Sequence, residues 1–388
     1  MALKEMGDSY FMKKKIGIIT YHSAYNFGSV LQAYATQQIL ETLGYEATIL
    51  NYRMKSQYEY YSIIHTKQGL KSFLKDMLHL PQIKQYIDRK NRFEKFISSL
   101  NLTHEFAEPD EAKNFENQFD IFISGSDQIW NKHSNELDSV DWSYMDPYLL
   151  TFTNKKKISY ASSIVNMTSD ELKMIASKIA AFDHISFREA ESCTRLMEVA
   201  GISSEAVIDP TLLLEKDNWM PIMGKLPANL KGKKYILYYA LDGVKKTAEI
   251  LPKLQKFAED RRYILVMITP LAYFVGNKKT YNMIEAGPKE FLSLIYNAEV
   301  VLTNSYHGTL FSINLGAEFY TLRDPKSKDQ RITSILDMLG LSHRIVASPE
   351  DIKNRSEKID YETVWKTRNI YKNKSLEYLK KSIGEADE

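Results

Sequence analysis

A chain of 388 residues, 44% apolar and 26% charged, has the composition of a folded globular protein rather than a disordered one. Its length exceeds one ordinary hydrophobic core, so two α/β domains are expected. With 51 basic against 49 acidic residues, the formal charge of +2 gives no global reason to bind nucleic acid, and any anion site must be built locally.

Residues 1–12 read as a flexible leader. The lysines before "IGIIT" (16–20) resemble the charged start of a signal peptide, but the apolar stretch after Lys15 is too short for its core. No apolar run approaches the ~18 residues of a membrane span. "IGIIT" is a buried-type strand, and Asn26 to Leu43 follows as a helix with Leu31, Ala35, Ile39 and Leu43 on one stripe. "ATIL" (47–50) is a strand. Residues 58–100 place apolar side chains at helical spacing among many lysines, which predicts two helices. Their basic, aromatic surface and that of the C-terminal tail read as solvated helix faces, with peripheral contact to an anionic membrane as the alternative.

"FDIFISG" (119–125), "KISYAS" (157–162), "HISFRE" (184–189) and "AVID" (206–209) are further strands, with helical patterns at 170–182 and 190–200. Cys193, the single cysteine, falls in the second of these as a small buried residue; it excludes an internal disulfide framework and suits a reducing cytoplasm. Asp209-Pro210 breaks the pattern. The boundary between an N-terminal domain, 13–211, and a C-terminal domain, 212–360, is placed there. The second half then alternates "YILYYAL", a helix at 244–260, "YILVMIT", a helix at 288–297, "VVLTN", a helix at 308–315 and "FYTL". A last helix, Tyr361 to Ile383 within a segment 361–388, is expected to pack back on the N-terminal domain. Strands alternating with helices in both halves predict two Rossmann-like, doubly wound parallel sheets, in which ligands bind beyond the carboxyl ends of the strands.

Three strand-end loops carry chemistry. In "TYHSAYNFGSVLQ" (20–32), Asn26 is placed to cap the helix, and Gly28 allows a ligand or another backbone to approach free N–H groups suited to an anion or sugar hydroxyls. Capping alone explains Asn26 equally well. His22 follows the strand closely and reads equally as a surface residue. There is no G-x-G-x-x-G, so no dinucleotide fingerprint. In "ISGSDQIWN" (123–131), Ser126 and its neighbours expose backbone donors, Asp127 can take a proton or bind hydroxyls, and Trp130 offers a face for a sugar. The alternative makes Asp127 a turn cap and Trp130 core. In "VLTNSYHGTLFSINLG" (301–316), His307 precedes Gly308 where a helix should begin, among the hydroxyls of Ser305, Tyr306 and Thr309. An imidazole there can take or give one proton near neutrality. "TLRDPKSKDQRI" (321–332) then supplies Arg323, Lys326, Lys328 and Arg331, either a solvated loop or a phosphate clamp. Arg188 emerges from "HISFRE", where a guanidinium has fewer bland explanations.

Taken in order, "GIITYHSAYNFGSVLQAYA", "FDIFISGSDQIWN", "ISYASS", "ISFREAES", "VIDPTLLL" and "GPKEFLSLIYNAEVVLTNSYHGTLFSINLG" resemble the polysaccharide pyruvyl transferase family over nearly the whole chain. The resemblance implies a GT-B-like pair of Rossmann-type domains with the active site in the cleft. It further implies an enzyme of cell-surface polysaccharide synthesis that moves the enolpyruvyl unit of phosphoenolpyruvate onto two hydroxyls of a sugar, free or lipid-linked, with no metal or other cofactor. It makes His307 the proton donor to C3 and Arg188 a donor-binding cation. Lys328, Arg331 and Arg323 would hold phosphate, and the Asn26 and Asp127 loops would face the acceptor, with Asp127 as base. Many members carry arginine two positions before the histidine; here that place is Ser305, so its charge must come from elsewhere. A nucleotide-sugar glycosyltransferase and a non-catalytic carbohydrate-binding relative are the rival readings; Glu318, which precedes its strand, is badly placed to hold a ribose.

Overall fold

The computed structural model describes residues 13–61, 80–133, 141–269, 279–324, 330–352 and 357–384. The expected leader, part of the 58–100 region, Lys326 and Lys328 lie outside these residues.

The chain begins with β1 (Lys15–Ile19), α1 (Phe27–Thr42), β2 (Glu46–Ile49), α2 (Lys55–Tyr60) and α3 (Ile83–Ile97). It continues through β3 (Ile121–Ser124), β4 (Lys156–Ser159), α4 (Ser169–Ile179), β5 (Ser186–Phe187), α5 (Ala190–Ala200) and β6 (Glu205–Ala206). The first four strands form a parallel sheet in the order β2-β1-β3-β4. Bridges Ile158–His184 and Ser162–Phe187 attach the short β5–β6 pair beyond β4. β1 and β3 are almost wholly apolar and buried because helices cover both faces of the sheet. Gly17 is part of that packing: a Cβ there would stand 2.9 Å from the Phe122 ring.

The second half forms β7 (Tyr235–Tyr239), α6 (Val244–Asp260), β8 (Ile264–Ile268), β9 (Thr280–Asn282), α7 (Pro288–Tyr296), β10 (Val300–Thr303), α8 (Tyr306–Leu315), β11 (Phe319–Leu322), α9 (Arg331–Met338) and β12 (Ile345–Val346). These strands make one parallel sheet, β12-β11-β10-β7-β8-β9. That is the strand order of a dinucleotide-binding Rossmann sheet, with its reversal between β7 and β10. The first sheet reverses between β1 and β3. Each reversal opens a crevice at the carboxyl ends of two strands, and the loops that follow β1, β3 and β10 are the three that the sequence singled out.

Two helices explain how the halves meet. α1 is buried at twelve of its positions and α8 at all ten, so neither has the polar face of a surface helix. Phe27, at the start of α1, stacks flat on Phe291 of α7 with centroids 4.4 Å apart. α10 (Tyr361–Ile383) then straps both halves: Trp365 donates to the Ile313 carbonyl at 3.1 Å, and Tyr378 donates to the Ser159 carbonyl at 2.8 Å.

Several boundaries differ from the sequence reading, and two of them bear on the site. The strand expected over 184–189 shortens to Ser186–Phe187, and the Arg188 N–H, donating to the Ser162 carbonyl, makes the bridge that holds its end to the sheet. α8 begins at Tyr306, because the Ser305 hydroxyl accepts from the Gly308 N–H and caps it. His307 therefore stands inside the first turn, not before it.

Candidate active site

Ser305 as cap leaves little freedom at the head of α8. Its backbone N–H is held by the Thr303 hydroxyl at 3.1 Å, and the Thr309 hydroxyl reaches back to the Ser305 carbonyl and across to Thr321. A Cβ on Gly308 would stand 2.4 Å from the Thr303 hydroxyl oxygen, so only glycine lets this turn pack so closely on β10. Ser305, Gly308 and Thr309 thus build the platform that aims the imidazole. Asn26 caps α1 in the same way, its side chain accepting from Gly28 N–H at 2.9 Å. Gly28 in turn lies against Nδ1 of His307.

The other ring nitrogen faces charge. His307 Nε2 is 3.5 Å from Asp209 Oδ2, without the geometry of a directed hydrogen bond, and is otherwise unpartnered. Asp209 is fully buried; its Oδ1 accepts from the Thr211 N–H at 2.9 Å and hydroxyl at 2.7 Å. Its Oδ2 accepts from Arg188 Nη1 at 3.0 Å. Arg188 also meets Glu189 at 3.3 Å and Asp127 at 3.6 Å, the latter through Nη2, which has no hydrogen-bond partner. Asp127 is held by the Ser29 hydroxyl at 2.8 Å and the Gln128 N–H at 2.9 Å. Tyr306 closes the group, with the Arg188 and Arg331 guanidinium carbons 4.8 and 5.8 Å from its ring centre.

Burial alone would raise the Asp209 and Asp127 carboxyls, yet His307 and Arg188 beside them hold both below the usual carboxylate range. Glu189 goes the other way: loss of water pushes its carboxyl up despite Arg188 and Arg331. For Arg188, burial opposes the charge, but Glu189, Tyr306, Asp127 and Asp209 outweigh it and fix the guanidinium as a cation. The result is an imidazole 8% exposed but set among charged groups, not hydrocarbon, where the two crevices meet. The carboxylates surround a guanidinium, and among the described residues no group of three or more candidate ligands is disposed to hold a metal.

Asp127, Arg188, His307 and Arg331 are therefore brought together, with Gly28 and Asn26 at the edge. Arg323, at the end of β11, is partly buried and its N–H donates to Val346. Ser126 is fully buried and donates to the Ala161 carbonyl at 2.8 Å. Trp130 corrects one expectation. Its indole is fully buried, donates to the Tyr148 carbonyl at 3.0 Å and packs edge-on against Phe182 and Phe187, so it is core and offers no face to a sugar. His22 is likewise inside, not on the surface.

Asp209 and Glu189 escaped the sequence reading. Asp209 was legible only as the partner of a breaking proline, although an aspartate two residues before a threonine, capping the next turn, is itself a local signal. What no local signal shows is the line behind it. The Asn314 side chain of α8 donates to the Thr211 carbonyl at 2.6 Å and accepts from Arg368 of α10 at 3.3 Å, so the C-terminal strap is tied to the turn that holds Asp209.

Among solved structures, a proposed UDP-N-acetylglucosamine 2-epimerase from Listeria monocytogenes is similar over 97% of this chain and 98% of its own, at 12% identity and a TM-score of 0.54. A UDP-N-acetylglucosamine 2-epimerase from Rickettsia bellii covers 95% and 96% at 11% identity and a TM-score of 0.53. The glycosyltransferase SnogD from Streptomyces nogalater covers 94% and 95% at 9% identity, with a TM-score of 0.42. At such identities the likeness to the two epimerases concerns the fold alone, two Rossmann-like domains in a GT-B-like arrangement. No curated protein sequence matches the chain. The sequence profile of one family does, from residue 26 to residue 333, a span that holds α1, the Asp127 loop, Arg188, Asp209, His307 and Arg331. By that match this chain belongs to the polysaccharide pyruvyl transferase family.

Proposed function

We propose that the protein transfers a pyruvyl unit from phosphoenolpyruvate to two hydroxyls of a sugar, closing a cyclic ketal and releasing phosphate. In that reaction C3 of the donor gains a proton, two bonds form from sugar oxygens to C2, and the bond from C2 to the phosphate oxygen breaks. Two hydroxyl protons are lost: one replaces the proton that C3 received, and the other leaves with hydrogen phosphate.

The observation that carries this reading is His307 Nε2, a buried ring nitrogen with no hydrogen-bond partner, beside the similarly unpartnered Nη2 of Arg188. Unsatisfied buried donors cost free energy and are retained where a ligand completes them. His307 gives the proton to C3, and Asp209 orients its ring and stabilises it when protonated. Asp127, kept ionised, takes a proton from an acceptor hydroxyl. We assign Arg188 Nη2, Arg331, Arg323 and Lys328 to the donor's negative charge, and the Asn26–Gly28 turn and the loop bearing Ser126 to the acceptor. Because the imidazole is covered, the seam must part to admit substrates.

The test is phosphate release from phosphoenolpyruvate with a panel of sugar acceptors, free and lipid-linked, run beside a thermal-shift panel of phosphoenolpyruvate and nucleotide sugars. His307→Ala should abolish release while the protein keeps its melting transition. Undiminished turnover in that variant, or stabilisation by nucleotide sugars alone, would refute the reading.

A further inference from the structure

Phosphoenolpyruvate carries about three negative charges, and its site must supply a surplus of positive ones. The cluster around His307 has no surplus: Arg188 and Arg331 stand against Asp127, Glu189 and Asp209. A further cation lies on the same seam, in a stretch that carried no motif. Arg89 projects from α3 between the two domains. Its Nη2 donates to the Tyr25 carbonyl, in the loop after β1, and its Nη1 to the Ala286 carbonyl, in the loop before α7, both at 3.2 Å. Its guanidinium lies over the rings of Phe27 and Phe93, 4.6 and 4.8 Å from their centres.

Arg89 is partly buried, and two facts bear on what it can hold. Arg53, Arg188 and Arg344 each pair with a carboxylate, and Arg368 bonds to Asn314 and Asn369; Arg89, among the described residues, has carbonyl oxygens and aromatic rings around it and no acid. A guanidinium has five N–H donors, and the two carbonyls account for two. Loss of water pulls its pKa down to about 10, as expected where no anion repays the burial of the charge. Its position is close to the chemistry: Phe27, on which it stacks, precedes the glycine that touches His307. Tyr239, 5.5 Å from Phe27 between ring centres, closes on Gly308.

We propose that Arg89, with the Tyr25 and Ala286 loops, forms an anion subsite on the interdomain seam that takes a phosphate or carboxylate group of a substrate. The bound anion completes the unfilled donors of a residue that already grips both domains, so binding and closure of the seam are coupled. The choice of probes rests on the pyruvyl-transfer reading, and the experiment separates the two.

Binding of inorganic phosphate, phosphoenolpyruvate and a short-chain polyprenyl diphosphate sugar is measured by calorimetry on the full chain, for wild type, Arg89→Gln and Arg89→Lys. Melting of each ligand-free protein is recorded alongside. The expected result is at least a tenfold loss of affinity in Arg89→Gln for one substrate anion, and a smaller loss in Arg89→Lys, which keeps the charge but not the fork. Loss confined to phosphoenolpyruvate assigns the subsite to the donor; loss confined to the diphosphate assigns it to the acceptor. If Arg89→Gln does not fold, Arg89→Lys alone decides, and wild-type affinity for all three probes overturns the proposal. Variants that melt earlier yet bind all three as wild type does make Arg89 a structural clamp, which also overturns it while leaving the transfer reading intact. Wild-type protein that binds none of the three overturns both.

Discussion

A Cβ on Gly28 would stand 2.0 Å from Nδ1 of His307, so the first turns of α1 and α8 touch through a contact that only glycine permits. The N-terminal domain thereby sets the back wall of the imidazole on the C-terminal domain. Gly28→Ala should displace the ring or pry the seam apart at a cost of about 1–3 kcal/mol. We expect phosphate release to fall at least tenfold while the melting temperature drops by only a few degrees. A variant with wild-type turnover would show that the ring position does not matter to the reaction.

Asp209 joins His307, Arg188 and the Thr211 turn, and Asp209→Asn keeps its shape while removing its charge. Activity should fall by roughly 100-fold or more, the range of a lost partner in proton transfer. The acid limb of stability provides an independent check. A carboxyl whose folded pKa is depressed stabilises the fold above its unfolded value, near 4, and that contribution is lost as pH falls through the folded value. Denaturant midpoints of the wild type should therefore decline below about pH 4 more steeply than those of Asp209→Asn. Parallel curves would mean that Asp209 is not held as described.

Trp130→Phe tests a residue that the structure moves from site to core. The variant loses the bond to Tyr148 and part of the packing against Phe182 and Phe187, so about 1–3 kcal/mol of stability should go, read from urea denaturation. The KM for the acceptor sugar should stay within twofold. A raised KM with unchanged stability would return Trp130 to the acceptor site.

His22 should act as a pH sensor of stability. Burial lowers its pKa to about 4, although bonds to Asn51 and to the Thr20 carbonyl resist the shift. The folded protein therefore holds the ring neutral where the unfolded chain binds a proton, and stability is lost as pH falls from about 6.5 toward 4. The shift corresponds to about 3 kcal/mol. Unfolding free energies measured from pH 8 to pH 4 should fall by that order in the wild type, and His22→Gln should remove that part of the slope. An unchanged slope would show that the ring does not titrate in this window.

The parts of this protein that its sequence determines are those governed by neighbours along the chain. "IGIIT", "FDIFISG", "YILYYAL" and "VVLTN" are apolar runs of strand length, and a strand buried on both faces has no other way to appear. Asn26 stands before a helical pattern because a cap needs an oxygen within three residues of its donor, whereas the Ser305 cap, which starts its helix at Tyr306, came from the structure. Since a parallel sheet places its ligand crevice at strand ends, the loops of Asn26, Asp127 and His307 could be chosen without coordinates.

What required the tertiary structure is every relation between residues far apart in the chain. Asp209 looked like punctuation before a proline, and Arg188 like a free cation; the fold sets them 3.0 Å apart beside His307 and adds Glu189 and Asp127. Trp130 and Arg89 illustrate the same gap in opposite directions, an aromatic withdrawn into the core and a basic residue of an ordinary helix delivered to the seam. Local patterns report which atoms are apolar and where a helix can start. Whether a charge is paired or left over depends on which distant groups share its dielectric surroundings, and packing of the two domains alone decides that.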